Sequence, residues 1–476
     1  MLLQFPAVRK TASAQTPQLT EAELRTLEAE YCSHGDTVHY AADPKFFVNC
    51  EGSYLYDSAG TPFLDLQMWH SSVNFGYKNS RTDAAARRQL DVLPQVGSQY
   101  LHAEKIELAA HIARHSQEKF GLKGRVHFNV GGAQAIEDSL KLVRNYAGGK
   151  SLMFAFEGGY HGRTLGATSI TSSYRYRRKY GHFGDRAQFI EFPNHFRSAK
   201  KSQSKEEFAT ECVQKFARLF ETEYNGVWDP RAGEAEYAAL YVEAIQGTGG
   251  GTLIPPKNFF KELKQVLDQH GILMVVDEIK MGMYRTGKMW AIENFDVSPD
   301  VLVFGKAITN GLNPLSGIWA REEMINPQIF PPGSTHSTFA SNPMGTAVAL
   351  EVLKMTAEED YESMVAEKGK YFLAGLQDLQ QRHKIIGDVD GLGLALRAEI
   401  CTEDGFTPDK ATMGWIAEEG MKGDLRVGGQ NYGLVLDVGG WYKNVITFAP
   451  ALTISYAEMD LSFVLLDQLL TRARVR

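Results

Sequence analysis

Apolar residues recur along this chain in two rhythms. Short unbroken apolar runs, bounded by glycine-rich or polar turns, read as strands buried on both faces. They are SLMFAFEGG (Ser151–Gly159), ILMVVDEI (Ile272–Ile279) and Val301–Phe304 within DVLVFGKAITNG. Between them, IEDSLKLVRNYAG (Ile136–Gly148) and FFKELKQVLDQHG (Phe259–Gly271) carry apolar residues at helical spacing, the second closed by Gly271. This alternation predicts an α/β domain around a mostly parallel sheet. Near the N-terminus, YLYDSAGTPFLDL (Tyr54–Leu66) alternates apolar and polar around a turn at Ser58–Thr61, which predicts a hairpin. The polar, helical stretch from about Asn194 to Tyr237 predicts an excursion on the surface.

After about Met344 the pattern changes. A long helical stretch (Gly345–His383) leads to short strands at LGLALRAEI (Leu392–Ile400) and NVITFAP (Asn444–Pro450). We expect a smaller α+β domain there, completed by the N-terminal hairpin. The expected division is an N-terminal segment over 1–74, a large α/β domain over 75–343 and the remainder of the small domain over 344–476.

Bulk composition narrows the partners. With 476 residues the chain is long enough for two domains. Lys plus Arg number 50 against 57 Asp plus Glu, a formal charge of −7, which argues against nucleic acid or an anionic membrane as partner. The four cysteines (Cys32, Cys50, Cys212, Cys401) are scattered, which predicts reduced thiols in the cytoplasm and no disulfide frame or metal site. The first twenty residues are short on hydrophobic length for a signal peptide and predict a flexible arm.

One feature needs a chemical explanation: the buried run Val301–Phe304 leads through Gly305 to Lys306. An ammonium is costly to bury unpaired, so Lys306 either escapes to solvent or has chemistry to do. Other strand ends carry polar residues that make sense beside it. Asp277 ends VVDEIK, Tyr160, His161 and Arg163 follow a strand in FEGGYHGRT, and Glu243 and Gln246 follow another in VEAIQGTGGG. In parallel sheets such carboxyl ends are where sites form. A lysine near apolar surface forms a Schiff base with a carbonyl, and a carboxylate against a pyridine nitrogen makes that ring an electron sink. These are the two groups pyridoxal phosphate requires. GGAQAIE adds backbone N–H groups of Gly131, Gly132 and Ala133 at a helix start, suited to a phosphate.

VVDEIKMGMYRTGKMW followed by FGKAITNG resembles the ordered signature of the class III aminotransferases, pyridoxal phosphate enzymes of fold type I, and the resemblance runs from about Tyr54 to Ser455. It implies that Lys306 is the Schiff-base lysine and Asp277 the partner of the pyridine nitrogen. It places Tyr160 on the ring, with His161 beside it, and Gly132 and Ala133 at the phosphate. Glu243 falls near substrate and ring. Trp69, in LQMWHSS, lines the pocket, and Arg163 holds a substrate carboxylate. Thr338, in HSTFASNP, reaches the phosphate of a neighbouring subunit, which implies a homodimer with shared sites. Amino transfer between a primary amine or amino acid and an oxo acid or aldehyde is the expected reaction; an amino acid racemase or epimerase of the same family is the alternative.

Three positions depart from the family pattern. Thr248 in QGTGG and Thr447 in ITFAP stand where 2-oxoglutarate-using members carry Glu and Arg. The charge switch is therefore expected to be missing, and glutamate to be a poor donor; Arg397 is the fallback cation if it is not. Lys280 stands where Gln commonly contacts the ring hydroxyl, and serves either in that contact or as a second base.

Overall fold

A computed structural model describes residues 19–35, 44–177, 180, 187–200 and 202–475. The arm expected over the first twenty residues falls mainly on 1–18, outside the described residues.

Strands β1 (Phe47–Glu51), β2 (Tyr54–Asp57) and β3 (Pro62–Asp65) form an antiparallel meander, the last two being the expected hairpin. Then come β4 (Gly124–Asn129), helix α1 (Gly132–Tyr146), β5 (Leu152–Phe156), β6 (Gln188–Ile190), α2 (Lys205–Ala217), β7 (Tyr237–Glu243), α3 (Asn258–Gln269), β8 (Leu273–Asp277), β9 (Val301–Phe304) and β10 (Ser316–Arg321). These strands make a seven-stranded sheet in the order β4-β10-β9-β8-β7-β5-β6. Every residue of β8 and β9 is buried, which accounts for their unbroken apolar runs.

The sheet is mixed. The pairs β9–β8, β8–β7, β7–β5 and β5–β6 are parallel, whereas β10 runs antiparallel to both β9 and β4. Two reversals cancel, so β4 points the same way as β9. The carboxyl ends of β4, β5, β7, β8 and β9 consequently share one edge.

The expected surface excursion after Asn194 is corrected by α2. Its Phe208, Ala209, Cys212, Val213 and Phe216 form a helical stripe that is buried in the main core. Polar residues on the other face of α2 conceal that stripe from a composition-based reading.

The C-terminal part contains α4 (Pro343–Glu358), α5 (Tyr361–Arg382), β11 (Ile386–Leu392), β12 (Ala395–Ile400), β13 (Leu425–Val427), β14 (Gln430–Val435), β15 (Asp437–Gly439), β16 (Val445–Phe448) and α6 (Tyr456–Arg474). The long helical stretch is thus two helices. Asp360 breaks it, because its carboxylate accepts from the Ser363 N–H at 2.9 Å and starts a new helix. Strands β11-β12-β16-β15 form one sheet, while β14 pairs parallel with β3 and joins the N-terminal meander to β13.

Arg285, of the Arg-Thr-Gly signature, ties these parts together. Fully buried, it donates to Ser71 Oγ (2.9 Å), Asn74 Oδ1 (2.6 Å), Leu394 O (3.2 Å) and Pro450 O (2.6 Å). The planar fork of a guanidinium suits such a junction of neutral acceptors from distant segments.

Among the described residues no helix is long and apolar enough to cross a membrane, and no group of three or more His, Cys, Asp or Glu side chains is placed to hold a metal ion.

Candidate active site

The shared sheet edge gathers the residues singled out from the sequence. In register, Asp277 lies opposite Glu243 on one side and Val303 on the other. Lys306 follows three residues beyond Val303. Gly305 is fully extended, and Lys306 itself takes a left-handed conformation (φ 47°). Such backbone strain in a non-glycine residue is characteristic of functional positions.

Lys306 is half-buried and makes no hydrogen bond or ion pair with a described residue. Burial first, and the neighbouring Lys280 charge second, push its ammonium down to about 8, against the pull of Asp277, Glu243 and Asp437. An amine with that affinity is about one-tenth deprotonated at pH 7, far more than an ordinary lysine.

Asp277 is held from both sides. His161 Nδ1 lies 2.9 Å from its Oδ2, and the Ile279 N–H donates to Oδ1 at 3.0 Å. The buried His161 is itself anchored, its N–H donating to Thr171 Oγ1 at 2.9 Å. Tyr160, on the same loop, packs edge-on to Tyr176 at 5.3 Å between ring centres.

At the end of β4, the N-cap residue Gly131 gives α1 no side-chain cap. The first N–H groups of α1 therefore remain available to an anion. The loop carrying Tyr160 is moulded onto this helix start: a Cβ at Gly162 would lie 2.7 Å from Ala133 Cβ, and one at Gly132 would meet Ile279 Cδ1 at 2.8 Å. Gly132 and Ala133 are thereby brought next to the Asp277 turn.

Glu243 lies at the edge but is occupied with the backbone. Its two oxygens accept from the N–H groups of Tyr160 (2.9 Å) and Gly247 (3.0 Å), and burial raises its carboxyl above the usual range. It fixes the two loops that flank the site.

The remaining predicted residues lie farther out. Arg163 is exposed, its guanidinium 4.6 Å from the Tyr176 ring centre and 6.0 Å from that of Tyr160. Trp69 is 59% exposed and packs near Gly311, in the turn after Lys306. It belongs to a run of four consecutive left-handed residues, Met68–Ser71, with φ between 46° and 65°. Thr338 is exposed, on the segment before α4. A cavity of about 550 Å³ opens beside Tyr160, lined among others by Arg175, Tyr176, Thr248, Trp441 and Lys443.

Charged side chains from other positions gather beside Thr447. Asp437 of β15 sits opposite Thr447 of β16, whose hydroxyl donates to Asp437 Oδ2 at 2.9 Å. Lys280 Nζ approaches the same oxygen at 3.3 Å, and His70 Nδ1 lies 3.5 Å from Oδ1. Burial opposes the charge of Asp437, yet Lys280, His70 and Thr447 hold its carboxyl far below the ordinary range. A charge pair is therefore present, built from residues other than the two family positions. Arg397, the fallback cation, lies opposite Thr447 in the β12–β16 ladder, where it is buried and engaged by Glu399 and Asp388.

The comparisons with known proteins agree with this geometry. The profile of the class III aminotransferases matches residues 38–470. An alanine/serine racemase of Pyrococcus horikoshii is 32% identical over 407 residues, 85% of this chain and 81% of that protein. A probable 4-aminobutyrate aminotransferase of Bacillus subtilis is 30% identical over 461 residues, 96% of this chain and 99% of that protein. Among solved structures, a thermostable (S)-enantioselective omega-transaminase from Thermomicrobium roseum superposes with a TM-score of 0.82 at 26% identity, covering 96% of this chain and 99% of that chain. A match of this extent, on a sheet edge that presents a strained lysine beside a braced aspartate, establishes the chain as a member of the class III aminotransferases.

Proposed function

We propose that this transaminase moves an amino group between a primary amine or an amino acid with one carboxylate and an oxo acid or aldehyde, with Lys306 as the residue that carries the cofactor and moves the proton. The observation that carries this reading is the half-buried Lys306 amine, unpaired and pushed down to about 8, beside an Asp277 braced by His161.

The side chains present fit pyridoxal phosphate. Lys306 Nζ is free to hold its aldehyde carbon, the uncapped N–H groups at Gly132 and Ala133 suit its phosphate, and Asp277 offers a carboxylate for its ring nitrogen. When bound, the cofactor supplies a carbonyl for the incoming amine and a ring that accepts the electron pair freed at the substrate carbon. With the cofactor bound, Lys306 Nζ would take the proton from that carbon and return it one position away. Asp277 keeps the ring nitrogen's proton in place, with His161 and the Ile279 N–H fixing the carboxylate. Tyr160 would lie against one face of the ring, and Glu243 holds the two loops that carry Tyr160 and Gly247. Trp69 and Arg163 are both exposed, and Arg163, stacked near Tyr176 and Tyr160, would receive a single substrate carboxylate. The free cysteines are in keeping with a cytoplasmic enzyme.

Donor choice tests the substrate reading. Where related enzymes place an arginine for a second carboxylate, Thr447 donates to the carboxylate of Asp437. Alanine or simple primary amines are expected to exceed L-glutamate in kcat/KM by about tenfold or more, roughly 1.4 kcal/mol. A glutamate preference of that size would overturn it and point to Arg175 or Lys443 as the carboxylate ligand. The same assay addresses racemization, a reading favoured by Lys280 as a second amine beside Lys306. Lys280 Nζ is drawn to Asp437, so we expect it not to serve as a second base and turnover to stop without an oxo acid. Continued inversion of alanine in its absence would establish the racemase.

The exposed Thr338 fits a homodimer in which each site borrows this residue. Lys306→Ala and Thr338→Glu chains, each inactive alone, are expected to recover part of the activity after mixed refolding, because one site of the heterodimer is intact. No recovery despite demonstrated subunit exchange would rule out the shared site.

A further inference from the structure

The Lys280–Asp437 pair is a second set of charges beside Lys306. Lys280 is buried, and its stem lies beneath the loop after β7, where a Cβ at Gly247 would fall 2.6 Å from Lys280 Cδ. Among the described residues its ammonium has one ion-pair partner, Asp437 Oδ2 at 3.3 Å. The Asp437 carboxylate is anchored in turn by Thr447 (2.9 Å), His70 (3.5 Å) and Gln67 Nε2 (3.4 Å). Two of these anchors, Gln67 and His70, flank or belong to the left-handed turn at Met68–Ser71. That turn is fixed from below by Asp65, whose Oδ1 accepts from the N–H groups of Gln67 (2.7 Å) and Met68 (2.9 Å). Asp437 thus links Lys280 to the turn at Met68–Ser71.

We infer that Asp437 is a positioning residue for amino transfer: it draws the Lys280 ammonium toward the β15–β16 edge and balances the charge that Lys280 presents to Lys306. This rests on the reading of Lys306 as the cofactor-bearing lysine. A bare cation beside Lys306 disfavours a proton on Lys306 Nζ, whereas a bare anion favours it. The groups that face Lys306 are Asp277 from β8, Glu243 from β7, Lys280 from the following turn and Asp437 from β15. Lys443, after β15, adds a further positive charge near Lys280, and His161 is engaged by Asp277. Only the Lys280–Asp437 couple can be altered one charge at a time without touching the Asp277 support.

The test is a pH titration of the visible absorption band of the holoenzyme, whose midpoint reports the proton at Lys306 Nζ. Asp437→Asn leaves Lys280 uncompensated and is expected to lower the midpoint by about one pH unit, a tenfold change in proton affinity. Lys280→Gln leaves Asp437 uncompensated and is expected to raise it by a similar amount. The double variant is expected to return near the wild-type midpoint. A merely structural role would lower stability or cofactor content without this opposite-signed pair of shifts. Midpoints unchanged, or moved the same way in both single variants, overturn the inference. Should Asp437→Asn fail to fold, the sign of the Lys280→Gln shift decides alone. A holoenzyme whose band survives Lys306→Ala unchanged would instead refute the assignment of Lys306 itself, so the two failures are distinct.

Discussion

Lys306→Ala is expected to reduce turnover by roughly 10³-fold or more, because it removes both the cofactor's attachment point and the base that moves the substrate proton; that is about 4 kcal/mol of barrier. The fold is expected to survive. Lys306 makes no hydrogen bond or ion pair that alanine would break. The substitution also removes a cost. The folded protein holds this amine at about 8 against an ordinary 10.5, so the unfolded chain binds its proton more tightly. The Lys306 contribution to apoenzyme stability therefore rises with pH between about 8 and 10.5 and is least favourable below that window. Thermal melts of wild-type and Lys306→Ala apoenzyme across this range are expected to converge at high pH, with the variant the more stable at neutral pH. A variant that unfolds at neutral pH, or that retains wild-type turnover, contradicts the assignment.

Asp277→Asn is the second large effect. The amide keeps the shape of the carboxylate and can still accept from the Ile279 N–H, so cofactor binding is expected to persist. What it loses is the negative charge against the ring nitrogen, and with it the stabilisation of electron density at the reacting carbon. A fall in kcat of about 10²–10⁴, or roughly 3–5 kcal/mol, is expected. The amide also presents an N–H to His161 Nδ1, where the carboxylate only accepts, so the imidazole must change tautomer. Equilibrium dialysis with pyridoxal phosphate and single-turnover rates separate the two contributions. A loss under about tenfold in the single-turnover rate would remove Asp277 from this role.

The buried strands, the hairpin and the lysine at the end of β9 were legible because each is written in contiguous residues. Val301–Phe304 is apolar on both faces, and Lys306 follows at once. Asp277 was legible for the same reason, as the last residue of β8. The reversed strand β10 was not, since an apolar run carries no information about direction. The burial of α2 was missed because its stripe is interleaved with charged residues, although its five apolar positions at helical spacing were a usable signal. Asp437 escaped because its importance lies in a cross-strand register with Thr447 and in a contact with Lys280, 157 residues away. A hint existed even so. A lysine in place of glutamine inside a buried site demands a counter-charge, and LVLDVGG offers a carboxylate just before the strand that carries Thr447. The hidden work of Glu243, bracing two loops through their N–H groups, could be read only from coordinates.

The parallel pairing of β3 with β14 has a consequence for how the chain is made. Leu64 lies opposite Leu434, so the inner edge of the N-terminal meander finds its partner only after 434 − 64 = 370 further residues have been added. At about 5–20 residues per second, the ribosome needs roughly 20–70 s to add the intervening chain. Throughout that interval the buried residues of Pro62–Asp65 lie on an open strand edge, which is a template for pairing with another nascent chain. Lower growth temperature or added chaperone, either of which shields that edge during translation, is therefore expected to raise the yield of folded protein.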